Sequence, residues 1–521
     1  MLAPTRRPRA ARQMLLALAL DAGTAVPLHR QLYQQLREAI LTRRLKSGAR
    51  LPSSRLLTDE LGVSRNTVLA AIDQLAAEGY VATRTGSGTF VAQLAPETPA
   101  PPSRPAGPTR APGPAAALSE RGRALAAAAL PRSLAGGAFM PGLADHREFP
   151  FALWSRMLAK AWRRPPAALV QPGAAAGELW LRRALADYLG ATRGVVCSAE
   201  QIFIVHGARQ AIDLAARALI DPGDIVCVEE PGWPGLRGTL AASGARLTPL
   251  VVDESGLTIA ERLKPRLICV SPSHQYPMGV TMSLARRLEL IQWAKRSDAW
   301  ILEDDYDSEY RYGGRPLAAL QGLDEDGRVV YVGTFSKVLF ASLRLAYLVV
   351  PAAIVDTVAR VRATLDDYPS AIAQPALAEF IEAGHFAAHI RRMRRRYQLR
   401  QELLVAAARR HLGGLVELEP NPAGMHLLAR LGPRLAGVID DRQAQRLAAD
   451  AGIVTMPLSL YFHGPATSQG LLLGYAPVAE AEIEPAVVRL AQALAPAMRK
   501  PRPSLASTRK RRYQSPLGGS S

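Results

Sequence analysis

Apolar residues recur at helical spacing over Leu28–Leu41, where Leu32, Leu36, Ile40 and Leu41 fall on one side. Pro52 and Ser53 open a second helix over Ser54–Leu61, and Gly62 turns the chain. Ser64 is placed to cap a third helix running to about Ala77, with Val68, Ile72 and Leu75 facing inward. Gly79-Tyr80-Val81 then begins a hairpin with Thr85-Gly86-Ser87-Gly88-Thr89 at its tip. Beyond residue 118 the rhythm changes. Short apolar runs occupy Gln201–Val205, Ile225–Val228, Leu267–Val270, Trp300–Leu302, Val329–Val332 and Leu345–Val350. Helical patterns such as Arg209–Leu219 and Leu284–Arg296 fall between several of them. That alternation predicts an α/β body with a mostly parallel sheet, in which ligands bind at the carboxyl ends of the strands.

Composition divides the 521 residues further. A stretch over 95–117 is dominated by Pro, Ala, Thr and Arg and cannot build a core, so it reads as an extended linker. We therefore expect an extension over 1–25, a small basic domain over 26–94, the linker over 95–117, a large domain over 118–498 and a basic, disordered tail over 499–521. Arg6, Arg7, Arg9 and Arg12 precede an apolar stretch, Met14–Leu20, in the manner of a secretory leader. The DNA-binding pattern that follows favours a short strand or anchor leading into the first helix. Lys and Arg number 64 against 45 Asp and Glu, a net charge of +19, which points to a polyanionic partner, nucleic acid ahead of membrane. Three cysteines without a C-x-x-C pair exclude a disulfide scaffold and a zinc finger and fit a cytoplasmic location. No apolar run approaches the ~20 residues of a membrane span.

A helix, a short Gly-containing turn and a second helix make a helix-turn-helix, whose second helix enters the major groove of DNA. Its first turn offers Ser64, Arg65, Asn66 and Thr67, which can donate to phosphates or base edges. The following hairpin is a wing whose glycines permit close approach of backbone to DNA. L-P-S-S-R at 51–55, L-G-V-S-R-N-T-V at 61–68 and G-S-G-T-F at 86–90 resemble the winged helix of the GntR family of bacterial transcriptional regulators. The resemblance implies that Arg55, Ser64, Arg65, Thr67 and Gly88 lie at double-stranded operator DNA.

Four clusters in the large zone carry chemistry. Thr334-Phe335-Ser336-Lys337 follows a strand; a Lys there suits a Schiff base with an aldehyde cofactor, and the hydroxyls, with Arg344 seven residues on, suit its phosphate. Glu303-Asp304-Asp305-Tyr306-Asp307 follows Trp300–Leu302; such carboxylates could bind Mg²⁺ or set one against a protonated ring nitrogen, with Tyr306 on a ring hydroxyl. His206-Gly207-Ala208-Arg209-Gln210 places small residues where a helix N-terminus can bind an anion. Glu229 to Gly235 offers Trp233 as a face for a planar ring. Singly, each has an ordinary structural explanation: a solvated Lys, a packed Trp, a capped helix.

In this order the clusters resemble fold-type I pyridoxal-phosphate aminotransferases. The resemblance implies an internal aldimine at Lys337, Asp304 on the ring nitrogen, Tyr306 on the ring oxygen and Trp233 stacked on the ring. It also implies that Ala208, Arg209, Thr334, Ser336 and Arg344 hold the phosphate, and that Tyr276, in S-P-S-H-Q-Y-P-M-G at 271–279, crosses the ring's oxygen side. It implies no metal. With the winged helix and the Pro-rich linker, the chain from Pro27 to about Ala495 resembles the MocR/GabR subfamily of regulators, in which an aminotransferase-like domain with a smaller C-terminal α+β subdomain senses an amine or amino-acid-like effector. That implies a head-to-tail homodimer on paired half-sites. The chain departs from the subfamily at Ala341-Ser342, Ala346 and Gly235, and Leu471–Tyr475 lacks the Arg with which aminotransferases hold a substrate carboxylate. These departures argue against GABA as effector and against ordinary amino-acid transamination. The alternatives are a working aminotransferase with a DNA-binding appendage and a DNA-binding module whose body has lost its cofactor.

Overall fold

A computed structural model describes residues 18–84, 87–93, 119–127, 137–313 and 317–499. The linker, the tip residues Thr85 and Gly86, nearly all of the tail and most of the N-terminal extension lie outside the described residues. The chain divides into two compact units at Ala117/Leu118.

The first unit has helices Leu28–Leu41, Ser54–Leu61 and Arg65–Ala77, then a hairpin of β1 (Val81–Arg84) and β2 (Gly88–Val91). The second and third helices start where the sequence supplies caps: Ser53 Oγ accepts from the Leu56 N–H at 3.2 Å and Ser64 Oγ from the Thr67 N–H at 3.1 Å. Leu32, Leu36, Ile40, Leu57, Val68, Ala71, Ile72 and Leu75 form one core. At about 1.5–3 kcal/mol per fully buried large side chain, this core is what holds three short helices together. Leu18 and Leu20 pack against it, and Ala19 N–H donates to Gln35 Oε1 at 3.0 Å, so the end of the apolar N-terminal stretch anchors to the head without forming a strand. The segment 48–51 lies along β2, through Leu51 N–H to Thr89 O at 2.8 Å and Val91 N–H to Ala49 O at 2.9 Å.

The second unit is built on an eight-stranded sheet. Its strands are β3 (Ile202–Val205), β4 (Ile225–Glu230), β5 (Arg246–Asp253), β6 (Gly256–Leu257), β7 (Leu267–Val270), β8 (Trp300–Asp305), β9 (Val329–Thr334) and β10 (Ala346–Val349), in the order β3-β10-β9-β8-β7-β4-β5-β6. The pairs from β9 to β5 are parallel, and β10 runs antiparallel to both neighbours. All six expected strands are present; β5, which has no buried residue and is interrupted by Pro249, and the two-residue β6 were not expected. β3, β7, β9 and β10 are buried on both faces, as helices such as Ala208–Leu219 and Leu284–Ser297 require. A smaller antiparallel sheet, β11 (Val416–Leu418), β12 (His426–Leu431), β14 (Gly470–Gly474) and β13 (Met456–Pro457), packs with helices His385–His411 and Glu480–Leu494 around a second core. No helix among the described residues is long and apolar enough to cross a membrane.

Candidate cofactor site and candidate DNA interface

The carboxylate cluster lies inside β8, which runs to Asp305 and so extends past the expected end at Leu302. Strand alternation therefore sorts the acids by face. Ile301 belongs to one core layer and Leu302 to the other, so Glu303 and Asp305 share the face of Ile301 and Asp304 that of Leu302. Glu303 accepts the backbone N–H groups of Leu320 and Gln321 at 2.8 and 2.9 Å. Asp305 binds Arg193 Nε at 2.9 Å and the Tyr331 hydroxyl at 2.6 Å. Asp307 faces His274. Asp305 Oδ1 is left without a partner, but Asp305 is held through its Oδ2; Asp304 differs in that it is buried with no hydrogen bond to its carboxylate among the described residues. Burial, then the charge of Asp305, push its carboxyl up to about 7, and Lys337 pulls the other way.

Lys337 sits just past β9 and donates to Gly142 O at 2.6 Å. Burial lowers its amine below the ordinary lysine value, opposed by Asp307 and Asp304. A lysine so desolvated holds its proton less tightly, as a nucleophilic amine must. Thr334 ends β9, and its hydroxyl accepts the Ser336 N–H at 3.2 Å.

Gly207 precedes the helix Ala208–Leu219 with φ 132°, a conformation that excludes a side chain. A Cβ on Gly207 would stand 3.2–3.3 Å from the guanidinium of Arg344. Arg344 itself adopts φ 53°, which aims it there from the turn after Ala341–Leu343. The first N–H groups of a helix and a guanidinium thus converge, as an anion requires. Arg209, in the same helix turn, lies over Trp233 at 5.7 Å. Trp233 in turn precedes the helix Pro234–Ala242, and any Cβ at Gly235 would stand 2.5 Å from its indole, so a side chain at 235 would have to displace the ring.

Tyr306 and Tyr276 meet edge to face at 5.7 Å. The Tyr306 hydroxyl lies 2.9 Å from His274 Nδ1, and the Tyr276 hydroxyl 2.9 Å from that of Tyr461. Burial raises both phenols, Tyr276 to about 12. Leu472 of β14 packs with Leu458 and Tyr461 beside Tyr276 and Met278. Sequence reasoning did not single out His274, Asp307, Gly142 or Tyr461. The first two are polar residues inside motifs already quoted, whereas nothing local marks Gly142 or Tyr461.

In the head, Arg55, Ser64 and Arg65 are exposed and Thr67 is half-buried. Ser64 and Thr67 hydroxyls lie 2.9 Å apart within the cap, so their first role is to start the helix that carries Arg65. Gly88 has φ 109°, and a Cβ there would stand 2.8 Å from Arg50 Nε. Arg50 was not foreseen; it is exposed beside the wing strand.

A basic helix-turn-helix head and an aminotransferase-like body define the class. The model of "Bacterial regulatory proteins, gntR family" matches residues 28–91, and that of "Aminotransferase class I and II" matches residues 172–490. The chain is 45% identical over 463 residues, covering 88% of it and 92% of its relative, to the probable rhizopine catabolism regulatory protein MocR of Rhizobium meliloti. It is 34% identical to the HTH-type transcriptional regulator TauR of Rhodobacter capsulatus, covering 91% and 98%. It is 32% identical to the HTH-type pyridoxine biosynthesis transcriptional regulator PdxR of Corynebacterium glutamicum, covering 88% and 94%. Among solved structures, an archaeal alanine:glyoxylate aminotransferase is similar at 27% identity and TM-score 0.64, covering 69% and 91%. The Pyrococcus horikoshii kynurenine aminotransferase shares the fold at 24% identity and TM-score 0.64, covering 73% and 95%. The chain belongs to the MocR/GabR subfamily of GntR-type transcriptional regulators, with a fold-type I aminotransferase-like body.

Proposed function

We propose that this regulator binds pyridoxal 5′-phosphate at Lys337 and reads an amine or amino-acid-like effector there, while its head binds operator DNA through Arg55, Ser64, Arg65, Thr67 and the Gly88 wing. The observation that carries this reading is Asp304. A carboxylate buried without a partner costs several kcal/mol unless a cation meets it. A protonated pyridine nitrogen is such a cation, and the neighbouring amine, aromatic face and anion cradle suit the rest of the same molecule. Asp304 would face the ring nitrogen, Tyr306 and Tyr276 the oxygen side, Trp233 the ring face, and Ala208, Arg209, Thr334, Ser336 and Arg344 the phosphate. When bound, the cofactor supplies an aldehyde carbon that exchanges one amine for another. The chain's own residues orient it and keep water from the lysine.

An effector acts only if it binds two states of the body with different affinity. A second copy offers such states. Trp162 Nε1–H donates to Ile372 O at 3.0 Å, and both side chains are exposed. Exposed apolar neighbours of this size support a homodimer interface. The apolar run Leu471–Leu473 of β14, which carries no Arg where aminotransferases hold the substrate carboxylate, favours sensing over transamination of amino acids. A site in the cytoplasm follows from operator DNA as partner. The test is operator binding by the full-length wild type and Lys337→Ala, each with and without pyridoxal phosphate and a panel of amines. A cofactor-dependent change confined to wild type is expected. Identical responses in both proteins would contradict the reading, and steady turnover with an amino acid and a keto acid would make the body an enzyme.

A further inference from the structure

His274 lies between β7 and the helix Leu284–Ser297 and is 2% exposed. Its Nδ1 stands 3.2 and 3.1 Å from the two carboxylate oxygens of Asp307 and 2.9 Å from the Tyr306 hydroxyl. One ring nitrogen facing both oxygens of a carboxylate carries the hydrogen and donates it. A nitrogen that donates its only hydrogen cannot accept one. The Tyr306 oxygen therefore meets Nδ1–H only as a further acceptor that shares the hydrogen with Asp307, which leaves its own proton free for another partner. Among the described residues the Tyr306 hydroxyl has no second hydrogen-bond partner. The imidazole has space only because residue 424 is glycine: a Cβ there would stand 2.0 Å from His274 Cε1, and Gly424 has φ 95°.

We propose that Asp307 and His274 are a positioning pair for Tyr306: Asp307 fixes the imidazole with hydrogen on Nδ1, and Nδ1–H holds the Tyr306 oxygen so that its O–H points at the ring oxygen of the cofactor. This deepens the pyridoxal-phosphate reading and rests on it. The other titratable groups facing the pair are His426 from β12, which burial holds neutral down to about 3, Lys337 from the β9 end, Asp304 and Asp305 from β8, the Tyr276–Tyr461 pair, and Tyr312 and Tyr475. Burial raises the Asp307 carboxyl and His274 lowers it, as expected of partners. His274, Asp307 and His426 also place ligand atoms within 4.8 Å of one another, the spacing of a metal site. Both Asp307 oxygens, however, face Nδ1 of His274, and His426 Nε2 faces Pro277 O at 3.3 Å, so hydrogen bonds engage these atoms, and His274 Nε2 is left without a partner.

A hydroxyl donated to a negative ring oxygen stabilises that charge. Without it, the bound chromophore keeps its proton to higher pH. The experiment is a pH titration of the absorption of full-length protein loaded with pyridoxal phosphate. Tyr306→Phe, His274→Phe and Asp307→Asn are each expected to raise the midpoint by about one pH unit, a tenfold change in proton affinity. His274→Asn, whose amide can stand in for Nδ1–H, should restore most of the wild-type midpoint. In the Tyr306→Phe background His274→Phe should add nothing, because the pair acts through Tyr306. Should His274→Phe not fold, Asp307→Asn and His274→Asn carry the same test. An unchanged midpoint in the His274 and Asp307 variants beside a shifted Tyr306→Phe would overturn the pair alone. So would one equivalent of zinc found by elemental mass spectrometry in wild type and lost in His274 and His426 variants. If wild type takes up no pyridoxal phosphate, the cofactor reading itself fails and the pair with it.

Discussion

Arg193 and Asp305 form a buried ion pair, with Arg193 Nε 2.9 Å from Asp305 Oδ2. The Tyr331 hydroxyl also donates to Asp305 Oδ2, and Arg193 donates to the Leu317 carbonyl and the Ser273 hydroxyl. This pair ties the helix Leu179–Arg193 to the centre of the sheet and leaves Asp304 as the carboxylate of β8 available to a ligand.

A consequence follows for stability in the cofactor-free protein. With Asp304 raised to about 7 in the folded state, that state keeps a proton which the unfolded chain has released above about pH 4. The contribution of Asp304 to folding stability therefore falls as pH rises from about 4 to 7 and flattens above. Asp304→Asn should reduce that slope by up to about 1 kcal/mol per pH unit. Glu303 and Glu229, also raised to about 7 by burial, retain part of it. Denaturant titrations of the variant and wild type at pH 5 and pH 8 measure the difference. Equal slopes would show that Asp304 is ionised in the free protein.

Gly207→Ala places a methyl against Arg344 at a φ that alanine avoids. Strain of about 1–3 kcal/mol and a displaced guanidinium are expected. Affinity for pyridoxal phosphate should drop about tenfold or more, with little change for pyridoxal, which has no phosphate. Equal losses for both would place the phosphate elsewhere.

In the head, Gly88→Ala would press on Arg50 and distort the wing. Operator affinity should fall while cofactor uptake by the body is unaffected. Arg65→Ala should cost about 1–3 kcal/mol and relax sequence choice if Arg65 reads a base. Fluorescence anisotropy on matched and mismatched operator duplexes separates this from a phosphate contact, which would weaken all sequences alike.

Ser64→Ala removes the cap of the helix that presents Arg65 and should lower stability of the head by about 1 kcal/mol. Ser64→Asn, a good cap, should restore stability; restoration of operator affinity as well would show that Ser64 acts by capping and not by touching DNA.

The helices of the head were legible to the residue, because Ser53, Gly62 and Ser64 punctuate a clear 3.6-residue period. The strands of the body were legible as apolar runs, but their ends were not: Glu303–Asp305 and Glu229–Glu230 continue strands that the apolar pattern closes early. A buried acid looks like a loop residue until its partner is known, and those partners, Arg193 for Asp305 and the Leu320 and Gln321 amides for Glu303, are distant in sequence. For the same reason Lys337 could be named from its motif, but Gly142, which accepts from its amine, could not.

The most direct measurement is covalent. Full-length protein incubated with pyridoxal phosphate, reduced with borohydride, digested and mapped by mass spectrometry should carry the label on the peptide containing Lys337, at about one per chain, and Lys337→Ala should carry none. A label spread over surface lysines, or retained in the Lys337 variant, would contradict the account.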